Sequence, residues 1–194
     1  RQANFVGAVV ISRPIEQSLI ECGVLKKNKI LLSPDAARDV AVNDALPISK
    51  QSRKFTAGYV GHLYSGRGIE IIVELAACLP KIEFHVIGGT KDSVDEWVKR
   101  TSSVPNLKFH GFVPPAQTSA FRQSCDLLLA PYQREVLVAG GRETSAWMSP
   151  LKLFEYMAAG KPIICSDLPV LHEVMKHDSN CFLCPPDDVS AWKN

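Results

Sequence analysis

The sequence predicts an α/β fold built on a doubly wound parallel sheet. From Phe55 onward, short apolar runs alternate with amphipathic stretches of helical periodicity. The apolar runs, such as DLLLAPY at 126–132, are hydrophobic at consecutive rather than alternate positions. Strands of that kind are buried on both faces, which requires helices on both sides of a parallel sheet. Ligands of such sheets bind beyond the carboxyl ends of the strands, near the point where the strand order reverses.

Six strands and five complete helices are expected after residue 54. The strands are predicted at 56–63, 81–89, 106–113, 126–132, 161–167 and 180–186. The helices are predicted at 69–79, 91–102, 115–124, 149–160 and 169–177, and another begins in 187–194. Asp92 and Ser93 are capping candidates, Pro115 suits a first helical turn, and Gly160 suits a helix end.

The first 54 residues follow a weaker pattern. A strand at 6–12, a helix at 14–23 and a strand in KNKILLSPD precede the polar stretch AARDVAVNDALPISKQSRK. We therefore expect residues 1–54 to be the tail of a preceding domain with a linker. Residues 55–194 should form a second domain, truncated at its C-terminus because its last helix is unfinished.

Composition excludes several classes of function. The formal net charge of +2 is too small to suggest nucleic-acid or membrane binding through charge alone. No run approaches the roughly 18 apolar residues of a membrane helix. Most of the six cysteines lie in apolar runs, which predicts buried, reduced thiols and a cytoplasmic location. The CxxC of Cys181 and Cys184 could be a redox pair or half a zinc site, but a structural strand is strongly favoured, because no second CxxC or His pair accompanies it.

Two glycine-containing loops are candidate ligand sites. Glycines at 61, 66 and 68 flank a strand–helix turn, where backbone N–H groups and the cation of Arg67 could bind phosphate. A glycine-rich turn with a solvated arginine explains the pattern equally well, and the spacing is not GxGxxG. Gly88 in VIGGT could likewise cradle a ligand or form a tight turn.

The segment SPLKLFEYMAAGKP at 149–162 predicts an amphipathic helix. The residues expected to face the core are Leu151, Phe154, Met157 and Ala158. Lys152 and Glu155 should lie on a neighbouring, less buried face. They could form a surface ion pair, or bind a diphosphate and ribose hydroxyls respectively, and spacing alone does not choose between these.

Three segments resemble, in the same order, the retaining glycosyltransferases of the GT-B fold, specifically the group 1 family, also called family 4. They are VPNLKFHGFVP, SCDLLLAPY and SPLKLFEYMAAGKPIICSDLPVLHEV. The resemblance extends from about Phe55 to the end. It implies that 55–194 is the Rossmann-like, C-terminal half of the fold, which binds the nucleotide-sugar donor. Residues 1–54 would then be the tail of the N-terminal acceptor domain and the interdomain linker.

The resemblance implies roles for residues that match the family's donor site. Glu155 matches the second glutamate of a paired motif, which binds the ribose hydroxyls of the donor. Arg67 matches the basic residue that neutralises the diphosphate. Leu151 and Lys152 match positions whose backbone amides face the diphosphate at a helix N-terminus.

Further matches concern the phosphates and the base. Gly61 matches the glycine near the donor phosphates. Phe112 and Val113 match the loop that holds the base through main-chain groups. GFVPP at 111–115 is otherwise explained as a loop that only caps a helix.

Two positions depart from the family pattern. Trp147 stands where the first glutamate of the paired motif is expected, and Glu143 substitutes for it only if its loop folds back. The GGRETSAW loop is interpreted as donor-facing, with a mobile surface loop as the alternative. His62 stands where the family often has arginine, which leaves Arg67 and Lys152 as the cations for the diphosphate.

The resemblance implies transfer of a sugar from a UDP- or GDP-sugar, with retention, to a saccharide or lipid-linked acceptor. No cofactor is expected, and no metal, since Arg67, Lys152 and the helix dipole can neutralise the diphosphate. The acceptor would be bound by the other domain, so this chain alone should bind nucleotide without turnover. Peripheral membrane contact of the full-length protein is a further expectation. The alternatives are another GT-B enzyme, such as a nucleotide-sugar epimerase, or a non-catalytic nucleotide-binding module.

Overall fold

The computed structural model describes residues 5–37, 48, 54–138 and 140–194. In these residues eight strands are β1 (Ala8–Val10), β2 (Ile30–Leu32), β3 (Thr56–Val60), β4 (Glu83–Ile87), β5 (Leu107–Gly111), β6 (Leu127–Ala130), β7 (Ile163–Ser166) and β8 (Phe182–Cys184). The helices are α1 (Arg13–Glu21), α2 (Ile69–Cys78), α3 (Lys91–Arg100), α4 (Pro115–Ser124), α5 (Leu151–Ala158) and α6 (Val189–Lys193). Two short 3-10 helices span Lys27–Lys29 and Pro169–Leu171.

The main sheet has six parallel strands in the order β5-β4-β3-β6-β7-β8. The chain winds outward from β3 in one direction, and then from β6 in the other. The strand order therefore reverses between β3 and β6, which is the arrangement of a doubly wound fold. This confirms the predicted fold class. Strands β1 and β2 form a separate parallel pair.

Hydrophobic clusters cover both faces of the main sheet. One cluster joins β6 and β7 to α5, through residues such as Leu128 and Leu153. The other joins β3 and β4 to α2 and α6, through residues such as Val86 and Ile72. All five residues of β3 are buried, in keeping with a central parallel strand covered on both sides. The carboxyl ends of these strands are consequently held in fixed relative positions.

The strand and helix predictions hold with one clear exception. The helix expected at 169–177 is wrong, because only Pro169–Leu171 is helical, as a 3-10 turn. Turns follow it, and the Asn180 side chain accepts from the Lys176 N–H (2.8 Å) and donates to the Val174 carbonyl (3.0 Å). Buried Leu171 and Met175 produced the helical spacing without a helix. No described helix has the length and hydrophobicity needed to span a bilayer.

Three smaller expectations also need correction. The N-cap of α3 is Thr90, whose hydroxyl accepts from the Ser93 N–H (3.3 Å), rather than Asp92 or Ser93. Cys22 and Cys78 are exposed, while the other four cysteines are buried, and all six are free thiols. Helix α5 is rotated from its predicted orientation. Its buried residues are Leu153 and Tyr156, whereas Leu151 and Ala158 are exposed and Phe154 and Met157 are half-buried.

Candidate functional site

A cavity of about 520 Å³ lies at the reversal point of the sheet. Gly61 and His62 reach it from the end of β3, and Tyr132 from the end of β6. The first turns of α4 and α5 close it from the same side. Its lining includes six of the residues singled out from the sequence, namely Gly61, His62, Arg67, Leu151, Lys152 and Glu155. Its position is the one where doubly wound folds bind ligands.

Lys152 points inward from the first turn of α5. Its ammonium nitrogen is buried and has no hydrogen-bond partner among the described residues. It lies 3.7 Å from the ring centroid of Tyr59 and 5.0 Å from that of Tyr132. Burial holds the pKa of Lys152 well below its usual range, and the nearby Arg67 lowers it further. Lys152 as a whole is of intermediate burial, in keeping with a face beside the buried Leu153 and Tyr156, but its ammonium end is turned into the cavity and not into solvent.

Arg67 approaches the same cavity from the turn between β3 and α2. Its Nε is buried without a hydrogen-bond partner in the described part of the chain, and its guanidinium carbon lies 5.4 Å from the Tyr132 ring centroid. The turn is held tightly. Gly68 has φ 77°, and a Cβ there would lie 1.7 Å from the Pro131 carbonyl oxygen. Arg67 lines the cavity, and its Nε is shielded from solvent.

Two buried tyrosines, Tyr59 and Tyr132, lie beside these cations, and a third buried tyrosine, Tyr156, interacts with both of those tyrosines. The Tyr59 hydroxyl donates to the His62 carbonyl (2.6 Å), and the Tyr156 hydroxyl accepts from the Val60 N–H (2.8 Å). Burial raises the pKa of Tyr132 to about 12 and raises the pKa values of the other two tyrosines as well. All three remain neutral near neutral pH. The rings attract the cations weakly but do not neutralise them, so the floor of the cavity favours an anion.

Glu155 lies one turn after Lys152 and is paired with Arg122 of α4. Arg122 Nη1 donates to Glu155 Oε2 (3.2 Å) and to the Thr118 hydroxyl (3.0 Å). The Arg122 side chain is 7% exposed and that of Glu155 is 34% exposed. Sequence reasoning missed Arg122, because nothing in the pattern of 115–124 indicates a partner 33 residues away.

Four other predicted residues do not line this cavity. Gly88 packs against Gly61, since a Cβ at Gly88 would lie 2.1 Å from the Gly61 carbonyl oxygen. Phe112 is 74% exposed, and Val113 packs against the hydrophobic core. Glu143 is exposed.

The loop that contains Glu143 is ordered by short contacts. The Glu143 carboxylate accepts from the N–H (2.6 Å) and the hydroxyl of Ser145, and these bonds lower its pKa. Trp147 is half-exposed, and its carbonyl accepts from the Ser12 hydroxyl (3.3 Å). The loop reaches the cavity through Thr144 instead. At the start of α5, the Leu151 N–H donates to the Ser149 carbonyl (3.0 Å).

Among the residues that the structure describes, no group of three or more His, Cys, Asp and Glu side chains could hold a metal ion. Cys184 belongs to β8 and Cys181 lies just before it, both as free buried thiols.

Comparison with known proteins identifies the family. A sequence model described as "Glycosyl transferases group 1" matches residues 54–194. A Bacillus subtilis (strain 168) protein named for teichuronic acid biosynthesis, the glycosyltransferase TuaH, is 25% identical over 119 residues. That match covers 61% of this chain and 28% of TuaH.

Solved structures share the fold. The Anabaena Alr3699/HepE complex with UDP-glucose superposes with a TM-score of 0.72 at 19% identity, over 97% of this chain and 52% of HepE. Sucrose-phosphate synthase from Thermosynechococcus elongatus gives a TM-score of 0.71 at 20% identity, over 97% of this chain and 48% of that enzyme. The chain thus spans about half the length of these structures and matches 28% of TuaH. With the family match over 54–194, it belongs to the group 1 glycosyl transferases.

Proposed function

We propose that residues 55–194 form the donor-binding half of a retaining glycosyltransferase that uses a UDP- or GDP-sugar. The observation that carries this proposal is the pair of cationic side chains Arg67 and Lys152, since Nε of Arg67 and the ammonium nitrogen of Lys152 are buried without a hydrogen-bond partner among the described residues. Leaving such donors unpaired is costly, and a bound diphosphate would satisfy both with charge-assisted hydrogen bonds. Neighbouring structures of the fold include HepE in complex with UDP-glucose, which supports UDP as the first probe.

In the proposed complex, the donor nucleotide lies along α5. The diphosphate lies over its first turn, where Lys152 and the helix dipole both favour negative charge. The carboxylate of Glu155, one turn further, accepts hydrogen bonds from the ribose hydroxyls. The base lies toward the loop of Phe112 and Val113, and the sugar toward the Glu143 loop, where Thr144 already lines the cavity.

The proposed catalytic roles depend on where negative charge develops during the reaction. Cleavage of the bond to the donor sugar leaves negative charge on the departing diphosphate, and Arg67 and Lys152 are fixed beside that position. Groups held in place before the reaction stabilise such charge most effectively. On this basis the reaction needs no metal ion. We further propose that residues 1–54 belong to the acceptor-binding half and the linker, and that the acceptor is a saccharide or a lipid-linked saccharide.

The cellular setting that we propose is the cytoplasm, which the six free thiols support. Peripheral contact to a membrane is proposed for the case in which the acceptor carries a lipid.

Isothermal titration calorimetry of the chain with UDP and GDP is the direct test. We expect Lys152→Met and Arg67→Gln each to weaken binding by about tenfold to a hundredfold, because each removes a charge-assisted contact. Arg134→Gln is the matched control, since Arg134 forms an exposed ion pair with Asp187 (3.2 Å). If neither nucleotide binds at millimolar concentration, the proposal is wrong.

Turnover separates donor transfer from the two alternatives. The complete protein should release UDP or GDP from a nucleotide sugar only when an acceptor is present. Conversion of the donor sugar to its epimer would identify an epimerase instead. Nucleotide binding without either reaction would identify a non-catalytic module.

A further inference from the structure

Arg122 is fixed from two sides beside the candidate site. It lies on α4 and donates from the same nitrogen to Glu155 on α5 (3.2 Å) and to Thr118 one turn earlier (3.0 Å). Its side chain is 7% exposed, whereas exposed ion pairs of flexible side chains contribute little. A buried arginine held in this way restricts the carboxylate that it contacts.

The Glu155 side chain borders two cavities. It lines the cavity at the reversal point, and it also lines a second cavity of about 570 Å³. Arg122 and Leu151 line both cavities as well. Without a partner, the Glu155 carboxylate would be divided between two solvent-filled spaces. The bond from Arg122 to Oε2 selects one orientation, and Oε1 has no hydrogen-bond partner among the described residues.

We propose that Arg122 is a positioning residue that presents the free oxygen of Glu155 to the two vicinal hydroxyls of the donor ribose. The inference rests on the proposed function, since it assigns the orientation of the ribose-binding carboxylate. Arg122 acts through Glu155 and not on the nucleotide itself. The contribution of Arg122 to nucleotide affinity should therefore depend on the presence of the ribose hydroxyls.

The experiment compares UDP with its dideoxy analogue, which lacks both ribose hydroxyls. Calorimetry on the parent chain should show a preference of about tenfold or more for UDP, the usual effect of hydrogen bonds to a charged group. Arg122→Gln should lose most of that preference while binding the dideoxy analogue as the parent does. Arg134→Gln, an arginine replacement in an exposed ion pair, should retain the full preference.

A double-mutant comparison tests whether Arg122 acts through Glu155. Glu155→Gln should lower UDP affinity, and adding Arg122→Gln should cause no further loss, because the two residues act as one unit. Equal weakening of both nucleotides by Arg122→Gln would indicate direct contact with base or phosphate and overturn the proposal. Unchanged preference in that variant would overturn it as well.

Two milder variants keep the test decisive if Arg122→Gln fails to fold. Arg122→Lys retains the cation and should keep part of the preference for UDP. Thr118→Val removes the second anchor of the guanidinium and should lower the preference by a smaller factor, with the thermal midpoint little changed. If the parent binds GDP and not UDP, the same comparison is made with GDP and its dideoxy analogue; if it binds neither UDP nor GDP, the proposed function fails and this inference with it. If the parent prefers UDP but all Arg122 and Thr118 variants do too, only the positioning role fails.

Discussion

The ammonium nitrogen of Lys152 lies 3.7 Å from the ring centroid of Tyr59, beneath the end of the central strand. This contact places a cation in a site that neutral tyrosines surround and no described hydrogen-bond acceptor satisfies. Gly61 makes the arrangement possible, because a Cβ there would lie 2.8 Å from the Lys152 nitrogen. Because its amine is buried without a hydrogen-bond acceptor, Lys152 binds a proton less readily in the folded chain than a lysine in water does.

Diphosphate binding should be accompanied by proton uptake at Lys152. Burial lowers the pKa of Lys152, and an anion placed beside the amine would raise it again. The calorimetric enthalpy of UDP binding should therefore vary with the ionisation enthalpy of the buffer at mildly alkaline pH. Lys152→Met should bind more weakly and show no such variation. Identical buffer dependence in parent and variant would contradict this prediction.

Lys152 should also make stability depend on pH. Its folded pKa lies below its unfolded pKa, so the unfolded chain binds more protons between the two values and stability rises with pH there. The slope from one such group approaches about 1.4 kcal/mol per pH unit. Urea unfolding as the pH rises toward about 10.4, the pKa of a free lysine, should show a steeper rise for the parent than for Lys152→Met.

Comparing the parent with Lys152→Met over the same pH range cancels the contribution of other titrating groups to the pH dependence of stability. Tyr59 and Cys165 have raised pKa values, which lower stability at high pH in parent and variant alike. Equal slopes would show that Lys152 titrates normally in the folded chain.

Gly88→Ala should disrupt the candidate donor site, although Gly88 itself does not line the cavity. Gly88 has φ 117°, and its Cβ would lie 2.1 Å from the Gly61 carbonyl oxygen. Because backbone lies on both sides of this contact, we expect a loss of about 3 kcal/mol or more and weaker UDP binding. Gly160→Ala is the control, since Gly160 has φ 63° but nothing within 4 Å, and should cost only about 1 kcal/mol. Denaturant titration of both variants measures the difference.

Asn106 should be a strong determinant of stability. Its buried amide nitrogen donates to the carbonyls of Ala76 (2.9 Å), Leu79 (3.1 Å) and Ile82 (2.9 Å), which ties the α2–β4 turn to the start of β5. Asn106→Ala leaves those acceptors without their donor and should cost about 2–4 kcal/mol. Asn180→Ala, at an exposed asparagine with similar local bonds, should cost about 1 kcal/mol. Similar losses in the two variants would contradict the role of burial.

The sequence predicted the structure correctly where a local pattern of residues is compatible with only one conformation. Helix α4 matches its predicted bounds of 115–124, because Pro115 can occupy a first turn but not a helix interior. The buried strands of a parallel sheet followed from their unbroken hydrophobicity.

The orientation of α5 could not be predicted, because nearly all its positions except 152 and 155 are apolar and the period is ambiguous. Tyr156 is buried since its hydroxyl bonds the Val60 N–H, 96 residues earlier. The pairing of Arg122 with Glu155 and the packing of Gly88 on Gly61 are equally remote in sequence.

The hydrogen bond from the Ser12 hydroxyl to the Trp147 carbonyl attaches the peptide before α5 to the β1–α1 unit. A second contact, between the Arg13 N–H and the Glu173 carboxylate (3.1 Å), attaches the same β1–α1 unit to the turns between β7 and β8. The peptide that leads into Lys152 is thus held by the β1–α1 unit as well as by the main sheet. Thermodynamic linkage makes the effect reciprocal. To the extent that a ligand shifts this peptide it also shifts the β1–α1 unit, and displacement of that unit changes the affinity for the ligand by the same factor.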